Sequence, residues 1–397
     1  MEFLISYQLK NGKHRVINSN SKTITTMDVL PMDIHKFIVL QQSDSEATDE
    51  FLLEYLDRFD TWCDQIKDKV FPEFDYRECF SDYGAVVRVF NYYCKKNYKY
   101  HEPINPTEYK WMQGCHNGGI QYLRENDITL QSYGYDFRSF YALILKSELK
   151  IPTKAGKEQF VHNLDNLKHG YYKVNITCEN DNFRKIFGFS PHNIYLNISL
   201  EIAQKYQKKY DVKINLIIDD EPNAYLYEDS DMVEMNTICK SWYNKLAYLK
   251  RKYPSNRLVK HMLSSAWGHL NAKNVINKSY DEINSMRDEG IKIGMHQDND
   301  YMIYDHKDFD DKEYYVLLDC KLPYKYNIRL KPYVTAYGRN QIGLIAMEKI
   351  DSVIRIQTDS CVFDCEMKFD NDDLIPETKT TGKVYWKHVN SYEKIKN

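Results

Sequence analysis

Long apolar runs, a regular cysteine pattern and a large excess of charge are all missing from this sequence of 397 residues. No apolar run approaches the roughly 18 residues of a membrane span, and residues 1–10 lack the charged and then apolar order of a signal peptide. The nine cysteines, an odd number without regular spacing, favour reduced thiols over a disulfide framework or a zinc site. We therefore expect an intracellular protein with no membrane partner.

The net charge is only −3, so the distribution of charge is more informative than its sum. Residues 235–280 contain no Asp or Glu. The nine basic residues of this segment are Lys240, Lys245, Lys250, Arg251, Lys252, Arg257, Lys260, Lys273 and Lys278. A local electropositive segment of this kind indicates a polyanionic ligand.

Two helices are predicted in the basic segment, over 237–252 and 257–270, with a proline-containing break between them. Helical spacing places four residues on one face of the second helix: Lys260, Ser264, Trp267 and Gly268. A cation, a hydroxyl, an aromatic ring and a position without a side chain suit the triphosphate, sugar and base of a nucleotide. The alternative is an exposed basic helix whose tryptophan packs into the core.

A carboxylate is predicted at the tip of a hairpin near the C-terminus. The apolar residues of 353–356 indicate a strand, Thr358 and Asp359 a tight turn, and 360–363 a returning strand. Such a carboxylate can hold a divalent metal if a second one joins it, and Asp136, at the end of a short strand-like run, is the candidate. Alone, each stretch also fits an ordinary sheet.

In this order, the stretches resemble the motifs of family B DNA polymerases, most closely the protein-primed branch of bacteriophages, linear plasmids and related viruses. The resemblance covers about residues 111–385. It implies an α+β right-hand polymerase fold with an antiparallel palm sheet, helical fingers and a minimal thumb. It also implies a DNA-directed DNA polymerase that extends a primer with two bound Mg²⁺ or Mn²⁺ ions. The implied partners are primer–template DNA, dNTPs, and a terminal (priming) protein or a second polymerase subunit.

The first family motif, Asp-x-x-Ser-Leu-Tyr-Pro, aligns with Asp136, Ser139, Phe140, Tyr141 and Ala142. The resemblance implies that Asp136 and the main-chain carbonyl of Phe137 bind metal and that Ser139 contacts the nucleotide. Tyr141 would lie under the incoming sugar and leave no room for a 2′-hydroxyl.

The second motif, Lys-x-x-x-Asn-Ser-x-Tyr-Gly, aligns with Lys260, Ser264, Ser265, Trp267 and Gly268. It implies a catalytic role for Lys260 at the triphosphate, together with Lys250 or Arg251. Ser264, Trp267 and Gly268 would contact the nucleotide.

The third motif, Tyr-x-Asp-Thr-Asp-Ser, aligns with residues 355–360. It implies that Asp359 is the principal metal ligand and that Thr358 lies at the DNA. Gln357 stands where the family has its first Asp, and an amide binds divalent metals poorly, so we expect weakened catalysis.

Other residues align with the DNA contacts of the family. Asn117, Gly118 and Gly119 match a segment that contacts the template strand. Arg339, on a helix predicted over 334–349, precedes the catalytic hairpin as in the family. Lys383 and Tyr385 match the Lys-x-Tyr that grips the primer strand.

The resemblance divides the chain into consecutive regions. The N-terminal region lacks a strand with an Asp-x-Glu pair, so we interpret it as an exonuclease remnant without nuclease activity. The regions are 1–108 (N-terminal), 109–145 (palm, first part), 146–235 (insertion similar to a terminal-protein region), 236–272 (fingers), 273–375 (palm, second part) and 376–397 (start of the thumb).

Two alternatives stay open at this point. Gln357, the missing nuclease and the short thumb also fit a weakened or inactive polymerase descendant that binds DNA or a terminal protein. The chain also fits one piece of a split polymerase. The sequence does not distinguish protein priming from nucleic-acid priming.

Overall fold

The computed structural model describes residues 4–8, 14–27, 37–40, 49–72, 75–79, 82–94, 102–115, 118–270, 273–296, 299–309, 312–323 and 329–395. The helices are α1 Asp49–Lys69, α2 Asp82–Cys94, α3 Pro106–Gly114, α4 Phe140–Leu145, α5 Asp181–Ile186, α6 Asn197–Tyr210, α7 Met235–Lys252, α8 Arg257–His269, α9 Tyr280–Asp288 and α10 Leu330–Met347. No described helix combines the length and the apolar character needed to cross a membrane.

The strands alternate with these helices along the chain. They are β1 Leu4–Gln8, β2 His14–Asn18, β3 Ile24–Met27, β4 Phe37–Leu40, β5 Gln121–Leu123, β6 Ile128–Phe137, β7 Lys150–Pro152, β8 Lys157–Gln159, β9 Gly170–Thr177, β10 Ile194–Leu196, β11 Lys213–Leu216, β12 Ala224–Leu226, β13 Met232–Glu234, β14 Lys273–Ser279, β15 Ile293–Gly294, β16 Tyr301–Phe309, β17 Lys312–Pro323, β18 Val353–Gln357, β19 Ser360–Phe363, β20 Leu374–His388 and β21 Ser391–Lys394.

The N-terminal sheet has the strand order β3-β2-β1-β4, with β1 antiparallel to β2 and parallel to β4. None of its four strands carries an Asp or Glu. Helix α1 is joined to the sheet by ion pairs from Arg15 to Asp49 and from Lys22 to Asp57. This sheet therefore presents no strand carboxylate for a two-metal hydrolysis.

Helix α2 packs against α7 and α8 rather than standing apart from the rest of the chain. The Phe90 and Trp242 rings meet edge to face with centroids 5.2 Å apart. Cys94 and Cys239 are both fully buried at the same contact. The last helix of the N-terminal region thus supports the two helices of the basic segment.

Residues 146–235 form a closed excursion from the main fold. Strand β7 at their start pairs with β13 at their end. Between these strands lies a separate sheet of order β10-β9-β12-β8, with β11 also paired to β9. A further sheet of order β14-β17-β16-β15 follows the basic segment.

The central sheet has six strands in the order β21-β20-β6-β19-β18-β5, and each neighbouring pair is antiparallel. Tyr135 and Phe137 on β6 point into the main core, against which α4 and α10 pack. The alternate residues Ile128, Leu130, Ser132, Gly134 and Asp136 point to the other side. We call this second side the carboxylate face.

Helix α10 covers the core side of the sheet. Its Gly338 faces α4. A Cβ atom at Gly338 would lie 3.1 Å from Cε1 of Tyr141. The glycine therefore sets how closely α10 approaches the segment that follows Asp136.

Candidate active site

Strand pairing brings Asp136 and Asp359 together from distant parts of the chain. Asp136 lies opposite Ser360 in the β6–β19 ladder, and the Phe137 amide donates to the Asp359 carbonyl at 3.1 Å. Thr358 has a φ of +56°, the left-handed conformation that closes the tight turn before Asp359. The turn thus holds Asp359 beside the end of β6, on which Asp136 stands.

The two carboxylates lie in a partly buried, negatively charged setting. Burial raises the pKa of Asp136 to about 7, and the negative charges of Asp359 and Glu377 add to the rise. Burial also raises the pKa of Asp359, with a further contribution from Glu377. In the described part of the chain, no side chain donates a hydrogen bond to Asp136 or Asp359. Two such carboxylates favour uptake of a cation.

The donor set fits a divalent metal. Two carboxylate groups and the carbonyl of Phe137, the residue after Asp136, are the hard oxygen ligands that Mg²⁺ and Mn²⁺ accept. Across the described ranges, no three His, Cys, Asp or Glu side chains form a metal-binding group. Protein oxygens alone would therefore fill only part of a coordination shell.

Gln357 is engaged elsewhere. It lies opposite Ser360 in the β18–β19 ladder, and its Nε2 donates to Oδ1 of Asn390 at 2.5 Å. Asn390 belongs to the turn between β20 and β21, which reaches over the end of β18. A neutral amide held by this turn adds no charge to the carboxylate pair.

Glu377 is a third acid near the pair, and no motif in the sequence points to it. Ile375 lies opposite Asp136 and Glu377 opposite Gly134, so Glu377 shares the carboxylate face. An irregularity in β20 follows directly, between Glu377 and Gly382.

The irregular segment of β20 fixes the Glu377 side chain. Oγ1 of Thr380 donates to Oε2 of Glu377 at 2.6 Å, and Thr380 is fully buried. Gly134 makes room for Thr380, because a Cβ atom there would lie 1.8 Å from its hydroxyl oxygen. The position of Glu377 beside Thr380 and Gly134 becomes visible only from the pairing register of β6 and β20.

Tyr141 and Trp267, predicted to contact the sugar and the base, touch each other. Their rings are stacked with centroids 3.9 Å apart and an interplanar angle of 20°. Lys331 donates to the Trp267 carbonyl at 3.0 Å, and its Nζ lies 4.0 Å from the centre of the indole ring. The stack connects α4, α8 and α10.

Three cations gather beside the first motif. Nζ of Lys250 donates to Oγ of Ser139 at 3.0 Å. Burial lowers the pKa of Lys250, and the positive charges of Lys260 and Arg138 lower it further. No described carboxylate forms an ion pair with any of the three. Sequence analysis missed Arg138, because the family motif leaves the position between Phe137 and Ser139 unspecified.

The other nucleotide-binding candidates on α7 and α8 are exposed. Oγ of Ser264 bonds the carbonyls of Lys260 and His261 within its own helix. Gly268 has nothing within 4 Å of its Cβ position, and Arg251 lies in the last turn of α7. Lys250, Lys260 and Trp267 therefore lie closer to the candidate site than Ser264, Gly268 and Arg251 do.

The glycine segment predicted to meet the template lies directly under the hairpin tip. A Cβ atom on Gly119 would lie 2.9 Å from Cα of Thr358, so the close approach requires glycine. The Thr358 amide donates to the Ile120 carbonyl at 2.9 Å. Buried Arg339 donates to the Gly118 carbonyl at 3.0 Å. Asn117 lies outside the described residues.

Lys383 and Tyr385 lie on β20 of the central sheet. Residues 376–395, expected to begin the thumb, form most of β20 and β21 in the central sheet. Val384 and Trp386 occupy the carboxylate face, so the alternating Lys383 and Tyr385 leave the sheet on its other side. The Tyr385 hydroxyl donates to Asp127 at 2.7 Å. Pairing with β6 thus fixes the direction in which both side chains point.

We expect the metal-free protein to be more stable at pH 5 than at pH 8. The pKa of Asp136 is about 7 in the fold, against 3.8 for an aspartate in the unfolded chain. Between these values the folded state holds a proton that the unfolded chain lacks, so stability falls as pH rises to about 7. Melting temperatures in EDTA should show this fall in the wild type and a smaller one in Asp136→Asn. Equal pH dependence in both proteins would contradict the assignment.

No protein-family model and no curated protein matches this chain. Solved structures of phi29 DNA polymerase are similar in fold. The complex with primer-template DNA and incoming nucleotides has a TM-score of 0.54 and 14% identity, covering 87% of this chain and 60% of that one. The binary complex with primer-template DNA has a TM-score of 0.54 and 14% identity, covering 92% of this chain and 63% of that one. The chain thus spans less than two thirds of the length of these polymerase chains, and it shares their mixed helix and sheet fold.

Proposed function

We propose that this chain is a template-directed DNA polymerase that adds deoxynucleotides to a primer 3′-hydroxyl during replication of a viral or plasmid-like genome. The supporting observation is that Asp136, at the end of β6, and Asp359, in the adjoining turn, lie together beside three cations and an aromatic stack. In this proposal the central sheet is the palm and α7 with α8 are the fingers. The similarity in fold to a DNA polymerase supports the same reading.

Each part of the proposed site has one task. Asp136, Asp359 and the Phe137 carbonyl hold divalent cations. When bound, such ions lower the pKa of the primer hydroxyl and neutralise charge on the leaving pyrophosphate. Lys250, Lys260 and Arg138 bind and orient the triphosphate.

The aromatic stack provides selection. Tyr141 is buried under Trp267, so an incoming nucleotide would have to part the two rings or bind at their edge. A sugar packed against Tyr141 would leave no space for a 2′-hydroxyl. Trp267 then offers a surface on which a base stacks.

The DNA and the priming partner would meet other surfaces. Gly118 and Gly119 lie under the hairpin tip, where close backbone approach suits a template strand. The closed excursion at 146–235 is a self-contained sheet available to a priming protein. Lys383 and Tyr385 stay predicted primer contacts, on the far side of the sheet from Asp136.

The test is primer extension on a short primed template with dNTPs and Mg²⁺ or Mn²⁺. We expect incorporation of the nucleotide complementary to the template base, and its loss in Asp136→Asn. Asparagine keeps the size of the side chain but removes the charge that holds the cation. Extension that ignores the template base, or that survives in Asp136→Asn, would overturn the proposal.

A second candidate function is a DNA-binding replication subunit without catalysis, or one piece of a split enzyme. Gln357 favours it, because its amide is tied to Asn390 where an acid would strengthen the metal site. The same experiment separates the two. Binding of primer–template DNA without extension in either metal would support the subunit without catalysis, and extension that appears only with a partner subunit would support the split enzyme.

A further inference from the structure

Arg355 is a buried cation on the carboxylate face. It lies on β18 opposite Val362, and only 3% of its surface is exposed. Its Nε donates to the Val389 carbonyl at 2.7 Å, and its Nη1 reaches Oγ of Ser360 at 3.5 Å. Ser360 in turn lies opposite Asp136. The guanidinium therefore lies on the same sheet face as Asp136, with the strand β19 between them.

Aromatic rings fix this guanidinium in place. Its Cζ lies 5.5 Å from the ring centre of Trp386 and 5.4 Å from that of Tyr392. Both rings belong to β20 and β21, whose connecting turn supplies the Val389 carbonyl. Within the described ranges, Arg355 forms no direct ion pair with a carboxylate. Its charge is held near the acids by neutral groups.

The charge of Arg355 acts on both members of the carboxylate pair. It lowers the pKa of Asp136 and Asp359 against the larger rise caused by burial. Burial lowers the pKa of Arg355 itself, while Tyr392, Glu377 and Asp359 raise it. Arginine stays protonated throughout the physiological range, so this positive charge is permanent.

We propose that Arg355 is a built-in counter-ion of the Asp136–Asp359 pair, so that the nucleotide-free protein takes up one divalent cation rather than two. The inference rests on the proposed function and deepens it, because it assigns the cation stoichiometry of that site.

A count of charges carries the argument. Asp136, Asp359 and Glu377 carry three negative charges and Arg355 one positive charge, so the group has a net charge of −2, and Gln357 adds none. One divalent ion neutralises this group, and a second would make it +2 in a partly buried setting. Uncompensated charge of that size is strongly unfavourable away from bulk water. A second ion can therefore enter only with an anion such as the triphosphate.

The experiment is a Mn²⁺ titration of the protein alone, followed by electron paramagnetic resonance, without DNA or nucleotide. We expect one weakly bound ion in the wild type. Arg355→Gln should bind Mn²⁺ about tenfold more tightly, because it removes a partly screened unit charge beside the site. Arg355→Lys, which keeps the charge, should bind like the wild type.

One further variant is a control, and another tests the inference without changing Arg355. Arg124 also bonds the hairpin, through the Val353 carbonyl at 3.1 Å and Asp364 at 2.9 Å, and Arg124→Gln should leave Mn²⁺ binding unchanged. Gln357→Asp leaves Arg355 intact and adds one negative charge. It should allow a second ion to bind, which keeps the proposal testable if Arg355→Gln does not fold.

Two equal Mn²⁺ sites in the wild type would overturn the inference, as would unchanged affinity in folded Arg355→Gln or a single site in Gln357→Asp. These outcomes are separate from the fate of the proposed function. Primer extension by a protein with two equal sites would overturn the inference alone. The expected Mn²⁺ results in a protein that never extends a primer would support the inference and overturn the polymerase assignment.

Discussion

An asparagine at position 359 is expected to slow nucleotide addition by about 10³-fold or more and, at the same time, to raise the melting temperature of the metal-free protein. The loss of rate corresponds to about 4 kcal/mol of transition-state stabilisation, within the range of a lost metal ligand. The gain in stability follows because burial and nearby Glu377 disfavour the charged form of Asp359 in the fold. A neutral side chain of the same shape removes that penalty.

Single-turnover incorporation in Mg²⁺ and thermal melting in EDTA measure the two effects. Asp364→Asn is the matched control, because Asp364 follows the same hairpin but pairs with Arg124 at 2.9 Å. The control should retain its activity within about twofold, as expected for a partly exposed ion pair. Slower addition together with a lower melting temperature would instead indicate that Asp359 holds the hairpin together.

The local elements near the site could be predicted because their signals lie within short segments. The basic helices were expected at 237–252 and 257–270, and the structure has them as α7 and α8. Asn256 begins α8 by accepting from the Val259 amide at 3.2 Å, and the preceding proline marks the break. The alternating apolar residues of β18 and β19 likewise specified the hairpin.

The features that could not be predicted from the sequence depend on pairing between strands that are far apart in the chain. Glu377 reaches the carboxylate face only because β20 pairs with β6 and then becomes irregular. The same pairing places Lys383 and Tyr385 in the sheet, although a motif match suggested a thumb. The pairing register of strands that are distant in sequence is set by the burial of whole strands. A short sequence motif does not determine it.

The N-terminal region shows the same limit. None of the strands β1–β4 carries an Asp or Glu. Its role as a support was not predicted, because the contact of Phe90 with Trp242 joins residues far apart in the chain. The region therefore stabilises α7 through packing, whatever its ancestry.

The second large effect concerns a buried ion pair beneath the site. Nε and Nη2 of Arg329 donate to the Glu108 carboxylate at 2.6 and 2.7 Å, and Glu108 is fully buried. Nη1 donates to the Glu102 carbonyl at 2.6 Å, and the Tyr227 hydroxyl donates to Glu108 at 2.9 Å. The pair joins α3 and the excursion to the start of α10, the helix that packs against the β18–β19 hairpin.

Arg329→Met is expected to lower the free energy of unfolding by about 3–5 kcal/mol, because it leaves the Glu108 carboxylate buried without its cation. Urea unfolding measures the loss. The double variant Arg329→Met/Glu108→Leu should recover most of it, since two apolar side chains leave no buried charge. Lys154→Met removes a surface ion pair with Asp231 and should cost less than about 1 kcal/mol. A double variant as unstable as Arg329→Met would show that the lost stability comes from packing and from the carbonyl and hydroxyl partners rather than from the unpaired charge.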